Sequence, residues 1–156
     1  MDKLFDFLKL NNLTISTAES CTGGMIASAI TDVSGSSSFF GTGVVTYSND
    51  AKMKLIGVSK ETLDAFGAVS EQTAREMAQG VLKLGEADVS VAVTGIAGPT
   101  GGTPEKPVGL VYIGVCGKGG TFVYKNIFSG NRDQVRKQTV NRAFELVYDY
   151  LIKFFG

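Results

Sequence analysis

Residues 87–95 read ADVSVAVTG, a run of small and apolar residues bounded by an acid and a glycine, with too little polarity to offer a wet face. A strand with this pattern is buried on both sides, so its sheet needs helices above and below. That demand limits the fold class more than any other feature of the chain. The flanking segments meet it. SEQTAREMAQGVLKLG, residues 70–85, carries the strongest helical pattern, with Ser70 and Thr73 as caps, Glu71 in the first turn and Gly85 as its stop. LTIST predicts a short strand. FFGTGVVTYS, residues 39–48, predicts another, in which Gly41 and Gly43 mark a bulge or a close backbone approach. VGLVYIGVCG and TFVYKNIFSG form a strand pair around the hairpin turn GKGG.

Helical periodicity covers residues 2–10 and resumes near Thr22, with Met25, Ile26, Ala29, Ile30 and Val33 on one face. SGSSS is a loop. NDAKMKLIGV gives a short helix with Gly57 near its C-cap, and a second runs from Ser59 to Gly67. A long closing helix starts at NRDQ and shows Val135, Thr139, Ala143, Leu146 and Val147 as its inner stripe. Strands and helices interleave, with one late hairpin. The expected fold class is α/β: a three-layer α/β/α sandwich with a mixed sheet, one domain over residues 1–156.

Composition removes several functions. Fifteen basic and fifteen acidic residues cancel, so no net charge draws the chain to nucleic acid or an anionic membrane. No apolar run approaches the roughly 20 residues of a membrane helix. There is no histidine, which excludes Ser-His-Asp and Cys-His catalysis and most zinc sites. The acids show no metal-ligand spacing, so neither metal nor cofactor is expected. The two cysteines, Cys21 and Cys116, lack the pattern of a disulfide framework, and MDKLFDFLKLNN is not a secretion signal; a cytoplasmic protein is expected.

The turn TAESCTGG, residues 17–24, joins a strand to a helix. By itself it reads as a helix cap through Ser20 or Thr22, because such caps far outnumber nucleophiles. The same turn suits a nucleophile. Ser20 stands at the end of the strand, the amides of Thr22, Gly23 and Gly24 open a helix where an oxyanion can be held, and the glycines admit a substrate. Cys21 is the rival nucleophile. Without histidine, Ser20 needs a base such as a desolvated lysine. Lys52, just beyond the strand ending in Tyr47 and Ser48, is the best placed, whereas Lys54 points elsewhere. The usual fate of a lysine is a solvated helix face.

Two further segments suit an anion. VTGIAGPTGGTP lies beyond the carboxyl end of the buried strand, where open α/β sheets bind ligands, and Thr94, Gly95, Gly98, Gly101, Gly102 and Thr103 offer donors to a phosphate. It is neither a P-loop nor a dinucleotide fingerprint. Arg132 and Arg136 share one face at the start of the last helix, on the wrong side of the helix dipole, a conflict that a bound phosphate or carboxylate relieves.

TAESCTGG, GVVTYSNDAKMKLIGV, GAVSEQTAREMAQG, VAVTGIAGPTGGTPEKPVGLVYIG and the final R-x3-R helix, in this order, resemble the C-terminal domain of the competence/damage-inducible CinA proteins, a domain that also stands alone as nicotinamide-nucleotide amidohydrolase. The likeness runs from about Leu4 to Leu151 and leaves no room for the molybdopterin-binding-like domain of longer CinA proteins, so a stand-alone form is expected. The resemblance implies deamidation of nicotinamide mononucleotide to nicotinic acid mononucleotide and ammonia, as in pyridine nucleotide recycling. It implies a Ser-Lys arrangement on Ser20 and Lys52, with Tyr47 orienting Lys52 or relaying a proton. Thr94, Gly95, Gly98, Thr103 and the late arginines Arg132 and Arg136 then hold the nucleotide. The expected partners are a small nucleotide substrate and, from the aromatic end YDYLIKFF, a second copy of the chain. Three alternatives stand beside this: a regulatory nucleotide-binding domain without turnover, a Ser-Lys hydrolase for a different amide, and a pure protein-interaction module, which would need a large exposed apolar patch.

Overall fold

The computed structural model describes residues 2–156. A single sheet of five strands runs through the molecule in the order β2-β1-β3-β4-β5. β1 (Ile15–Glu19), β2 (Phe40–Val45) and β3 (Val89–Gly95) are mutually parallel where they pair, and β4 (Leu110–Gly117) and β5 (Gly120–Ile127) add an antiparallel hairpin beside β3. α1 (Asp2–Leu10), α2 (Met25–Thr31) and α6 (Arg132–Phe155) cover one face; α3 (Asn49–Ile56), α4 (Lys60–Phe66) and α5 (Glu71–Gly85) cover the other. This is the three-layer α/β/α sandwich with a mixed sheet.

The central strand shows why both layers are needed. Val89, Val91 and Val93 face the α1/α2/α6 layer, where they join Ile15, Val111, Ile113 and Val115. Ala92 on the opposite face packs with Ala18, Met77 and Val81. The α5 side is lined by small residues, so that helix lies close to the sheet. A Cβ on Gly114 would stand 2.8 Å from the Ala74 carbonyl oxygen. Ser16 and Ser90, buried in the strands, donate to α5 carbonyls, Ser16 Oγ to Val81 at 2.9 Å and Ser90 Oγ to Ala78 at 2.6 Å. Their hydroxyls are therefore satisfied without water.

Three local expectations are modified. α2 starts at Met25 rather than near Thr22, because Gly23 (φ 59°) and Gly24 (φ 105°) turn the chain through the left-handed region first. α5 ends at Gly85 as read, but the left-handed cap that follows is Glu86 (φ 47°) rather than a glycine, while Gly85 is held small by Ser16, whose Cβ would lie 2.8 Å from an added one. The loop SGSSS contains a 3₁₀ turn, Ser36–Ser38. The glycines of the second strand behave as read: the register between β1 and β2 skips Gly41, a bulge, and a Cβ on Gly43 would meet Thr17 Oγ1 at 2.7 Å.

Candidate active site

The carboxyl ends of β1, β2 and β3 point the same way and stop at one edge of the sheet. Ser20 directly follows β1, Thr94 and Gly95 end β3, and Thr46 and Tyr47 follow β2 on the way into α3. α3 is capped by the Ser48 side chain, which accepts from the Ala51 amide at 3.0 Å. That cap fixes the phase of the helix and turns Lys52 inward, one helical turn from its start, while Lys54 pairs in the open with Asp50 at 3.0 Å.

Lys52 is the least expected side chain in the core, with 1% of its surface exposed. Its Nζ lies 3.2 Å from Ser20 Oγ and donates to the Thr46 carbonyl at 2.7 Å. Burial pushes its pKa below the ordinary lysine range, and the neighbouring Cys21 opposes this less strongly. The sequence could not join Ser20 to Lys52 across 32 residues; parallel pairing of β1 with β2 does so. A neutral amine on Lys52 can hold the Thr46 carbonyl with one N–H and turn its lone pair to the Ser20 hydroxyl. Cys21 stands beside the pair, but burial, ahead of the charge of Glu19, raises its thiol to about 11. Near neutrality it is a protonated thiol, a poor rival to Ser20.

A cavity of about 280 Å³ opens above the pair, walled by Ser20, Cys21, Lys52, Tyr47, Ala68, Val69, Thr94, residues 95–98, Thr100, Gly101 and Arg132. Its volume sits near the low end of small-molecule sites, about 300 Å³. Besides the amine of Lys52 it holds the guanidinium of Arg132, and no carboxylate is among the wall residues. The site therefore suits a small anion.

The expected site residues divide by position. Arg132 reaches the cavity, donates to the Gly98 carbonyl at 2.9 Å and lies 3.4 Å from the Tyr47 hydroxyl. Tyr47 is thus tied to Arg132 at the mouth, 63% exposed, rather than to Lys52. The Thr46 carbonyl holds Lys52 in its place. Thr94 lines the cavity while its Oγ1 donates to the Ala68 carbonyl at 2.7 Å. Gly95 and Gly98 are wall residues that tolerate no Cβ, since one would stand 2.6 Å from Val111 and 2.4 Å from Val108 respectively.

Thr103 is not in the wall; it closes a turn with Lys106, which in turn donates to the Phe66 carbonyl and ties the loop to α4. Arg136 is not in the wall either, because its guanidinium is spent on the Cys21 and Thr22 carbonyls, each at 3.1 Å. Thr22, Gly23 and Gly24 are not among the wall residues. The Gly23 amide is already donated to the Ser20 carbonyl at 3.0 Å, whereas the Thr22 and Gly24 amides donate to no protein group among the described residues.

Residues 1–151 match the family model described as CinA C-terminal domain. The chain belongs to the CinA C-terminal domain family. This CinA domain is 60% identical over 91% of its length to a CinA-like protein of Endomicrobium trichonymphae, and 54% identical over 91% to one of Kosmotoga olearia. It spans about a third of those relatives, 33% and 34% respectively. Among solved structures it superposes on competence/damage inducible protein CihA from Agrobacterium tumefaciens with TM-score 0.89 and 48% identity, covering 94% of this chain and 89% of that one. The corresponding values for competence damage-inducible protein A (ComA) from Klebsiella pneumoniae are 0.94, 35%, 98% and 95%.

Glu19 is the functional neighbour that the sequence did not single out in this CinA domain. Its carboxylate is 1% exposed and accepts from Thr22 Oγ1 (2.6 Å), the Ile26 amide (2.8 Å) and the Ala27 amide (3.0 Å). It caps α2 from within β1, seven residues before the helix amide it meets first. The only signal was an acid at the end of a strand of otherwise uncharged residues. No helix among the described residues is long and apolar enough to cross a membrane. No group of three His, Cys, Asp or Glu among them could hold a metal ion.

Proposed function

We propose that this CinA domain is an amidohydrolase that deamidates nicotinamide mononucleotide through a Ser20 acyl-enzyme. The observation that carries the reading is a buried lysine amine 3.2 Å from a serine hydroxyl on the floor of a small, cationic cavity. Neutral Lys52 takes the Ser20 proton as Oγ attacks the carboxamide carbon. The tetrahedral intermediate collapses, the C–N bond breaks, and the lysine ammonium returns the proton to the leaving ammonia. Water then gives a proton to Lys52 and attacks the ester, and the lysine ammonium passes that proton to the departing Ser20 Oγ, which frees the acid to leave as its carboxylate and restores both groups. The Ala97 and Gly98 amides donate to no other protein group among the described residues and supply the oxyanion donors in this scheme. Arg132 meets the 5′-phosphate, with Tyr47 beside it.

The test is ammonia release from nicotinamide mononucleotide by the wild type, Ser20→Ala and Lys52→Ala. Turnover in the wild type, reduced by several orders of magnitude in both variants, is the expected result. A folded wild type that binds the mononucleotide and releases no ammonia makes the domain a nucleotide-binding module instead.

A further inference from the structure

Arg136 contacts neither the cavity nor a carboxylate among the described residues, although it is a charged group reaching well into the fold from α6. Its Nε donates to the Cys21 carbonyl and one terminal nitrogen to the Thr22 carbonyl. These two carbonyls belong to successive peptides of the turn that begins at Ser20. From the other side the turn meets the buried carboxylate of Glu19, which holds the Thr22 hydroxyl and the first amides of α2. Gly23 lies against the guanidinium, and its left-handed φ of 59° is the conformation that favours glycine in this turn. The turn is therefore gripped between an anion on β1 and a cation on α6.

We propose that Arg136, with Glu19, is a positioning residue that holds the nucleophile turn in register with Lys52, and that it takes no part in binding substrate. The proposal rests on Ser20 being the nucleophile. The Gly23 amide donates back to the Ser20 carbonyl, so Ser20, Cys21, Thr22 and Gly23 form one ring closed by that single hydrogen bond. Rotating either gripped peptide opens that ring and moves Ser20 Oγ relative to an amine fixed separately by the Thr46 carbonyl. The planar fork presents Nε and a terminal nitrogen side by side to the two carbonyls, a fixed geometry that a lysine's compact ammonium on a flexible stem at position 136 does not reproduce. In a trans peptide the N–H points opposite to the C=O, so the same grip drives the Thr22 amide away from α6.

The experiment compares the wild type with Arg136→Lys, Arg136→Met and, as a control on the same helix, Arg142→Met, whose side chain pairs in the open with Glu145. Ser20 reactivity is read as the rate of covalent labelling by a fluorophosphonate, followed by intact mass, which needs the nucleophile and its base but no nucleotide. Turnover of nicotinamide mononucleotide and the melting temperature are measured alongside. The expected result is labelling and kcat lower by about 10- to 100-fold in both Arg136 variants, with KM little changed. Added guanidinium should partly rescue Arg136→Met, and Arg142→Met should behave as wild type. A raised KM with unchanged labelling makes Arg136 a substrate ligand and overturns the proposal. So does a loss of labelling that only follows the folded fraction. Wild type labelled at Ser20 without releasing ammonia would remove the amidohydrolase reading and leave the brace standing; wild type that cannot be labelled at Ser20 would remove both.

Discussion

Lys52 is a lysine that the fold makes expensive to protonate, and its cost can be read in two ways. As a base it must be neutral, so kcat/KM should rise with pH and level off below 10.5, the ordinary lysine value. A profile that still climbs at 10.5 would mean that the working lysine is unperturbed. Stability follows with the opposite requirement. The folded pKa is lowered, so below it both states hold the proton and the full penalty is present, about 1.4 kcal/mol for every tenfold by which burial weakens the amine's hold on its proton. The penalty fades as pH rises from the lowered value toward 10.5. Lys52→Met should therefore abolish turnover yet melt higher than wild type at pH 7, with the gap narrowing toward pH 10 in a series of thermal melts. Cys21 provides the contrast. With its thiol held near 11, Cys21→Ala should keep turnover within a few-fold of wild type, whereas Ser20→Ala should lose it. Equal losses in the two variants would return Cys21 to contention as the nucleophile.

At the scale of elements, the position of Lys52 depends on how α3 lies against α5. Gly80 of α5 faces the Ile56 carbonyl at the end of α3, and an added Cβ would stand 1.8 Å from that oxygen. Gly80→Ala has to push the two helices apart. Overpacking of this kind costs about 1–3 kcal/mol. The melting temperature should fall by roughly 2–12 °C, measured by circular dichroism. Because α3 carries the base, kcat should fall while KM changes little. A kcat equal to wild type would mean that Ser20 and Lys52 are held independently of this contact. Arg132 sits on another element, the start of α6, and the prediction for it has the other form. Arg132→Met should raise KM for the mononucleotide by about 10-fold or more and leave it close to KM for nicotinamide riboside, because one charge-assisted contact is lost. A KM unchanged for both substrates would remove Arg132 from the phosphate.

For the whole molecule, the site exists only where three parallel strand ends, α3 and the start of α6 meet. The sequence was already decisive about the pieces. Val89, Val91 and Val93 alternate with Ser90 and Ala92, all of them able to lie in a covered sheet, and that sufficed for the layers. The caps at Ser59 and Ser70 and the stops at Gly57 and Gly67 could be read from local chemistry, since each acts within one turn of chain, while Ser48, read as a strand end, caps α3. Absent histidine pointed to a lysine base, and family likeness pointed to Lys52. Other roles depended on contacts across the fold. Arg132 and Arg136 occupy the same helix face, one turn apart, yet one meets the cavity and the other the carbonyls of Cys21 and Thr22. Spacing could not separate them, because their partners come from segments more than 30 and more than 110 residues away respectively. Nor could it show that Gly23's amide was already spent, or that the Thr46 carbonyl holds Lys52 where Tyr47 was expected to. Residue type and periodicity are local, so they determined the elements and the chemistry on offer. Distances, burial and the lowered pKa of Lys52 arise from how the parallel strands register, and only the tertiary structure decided them.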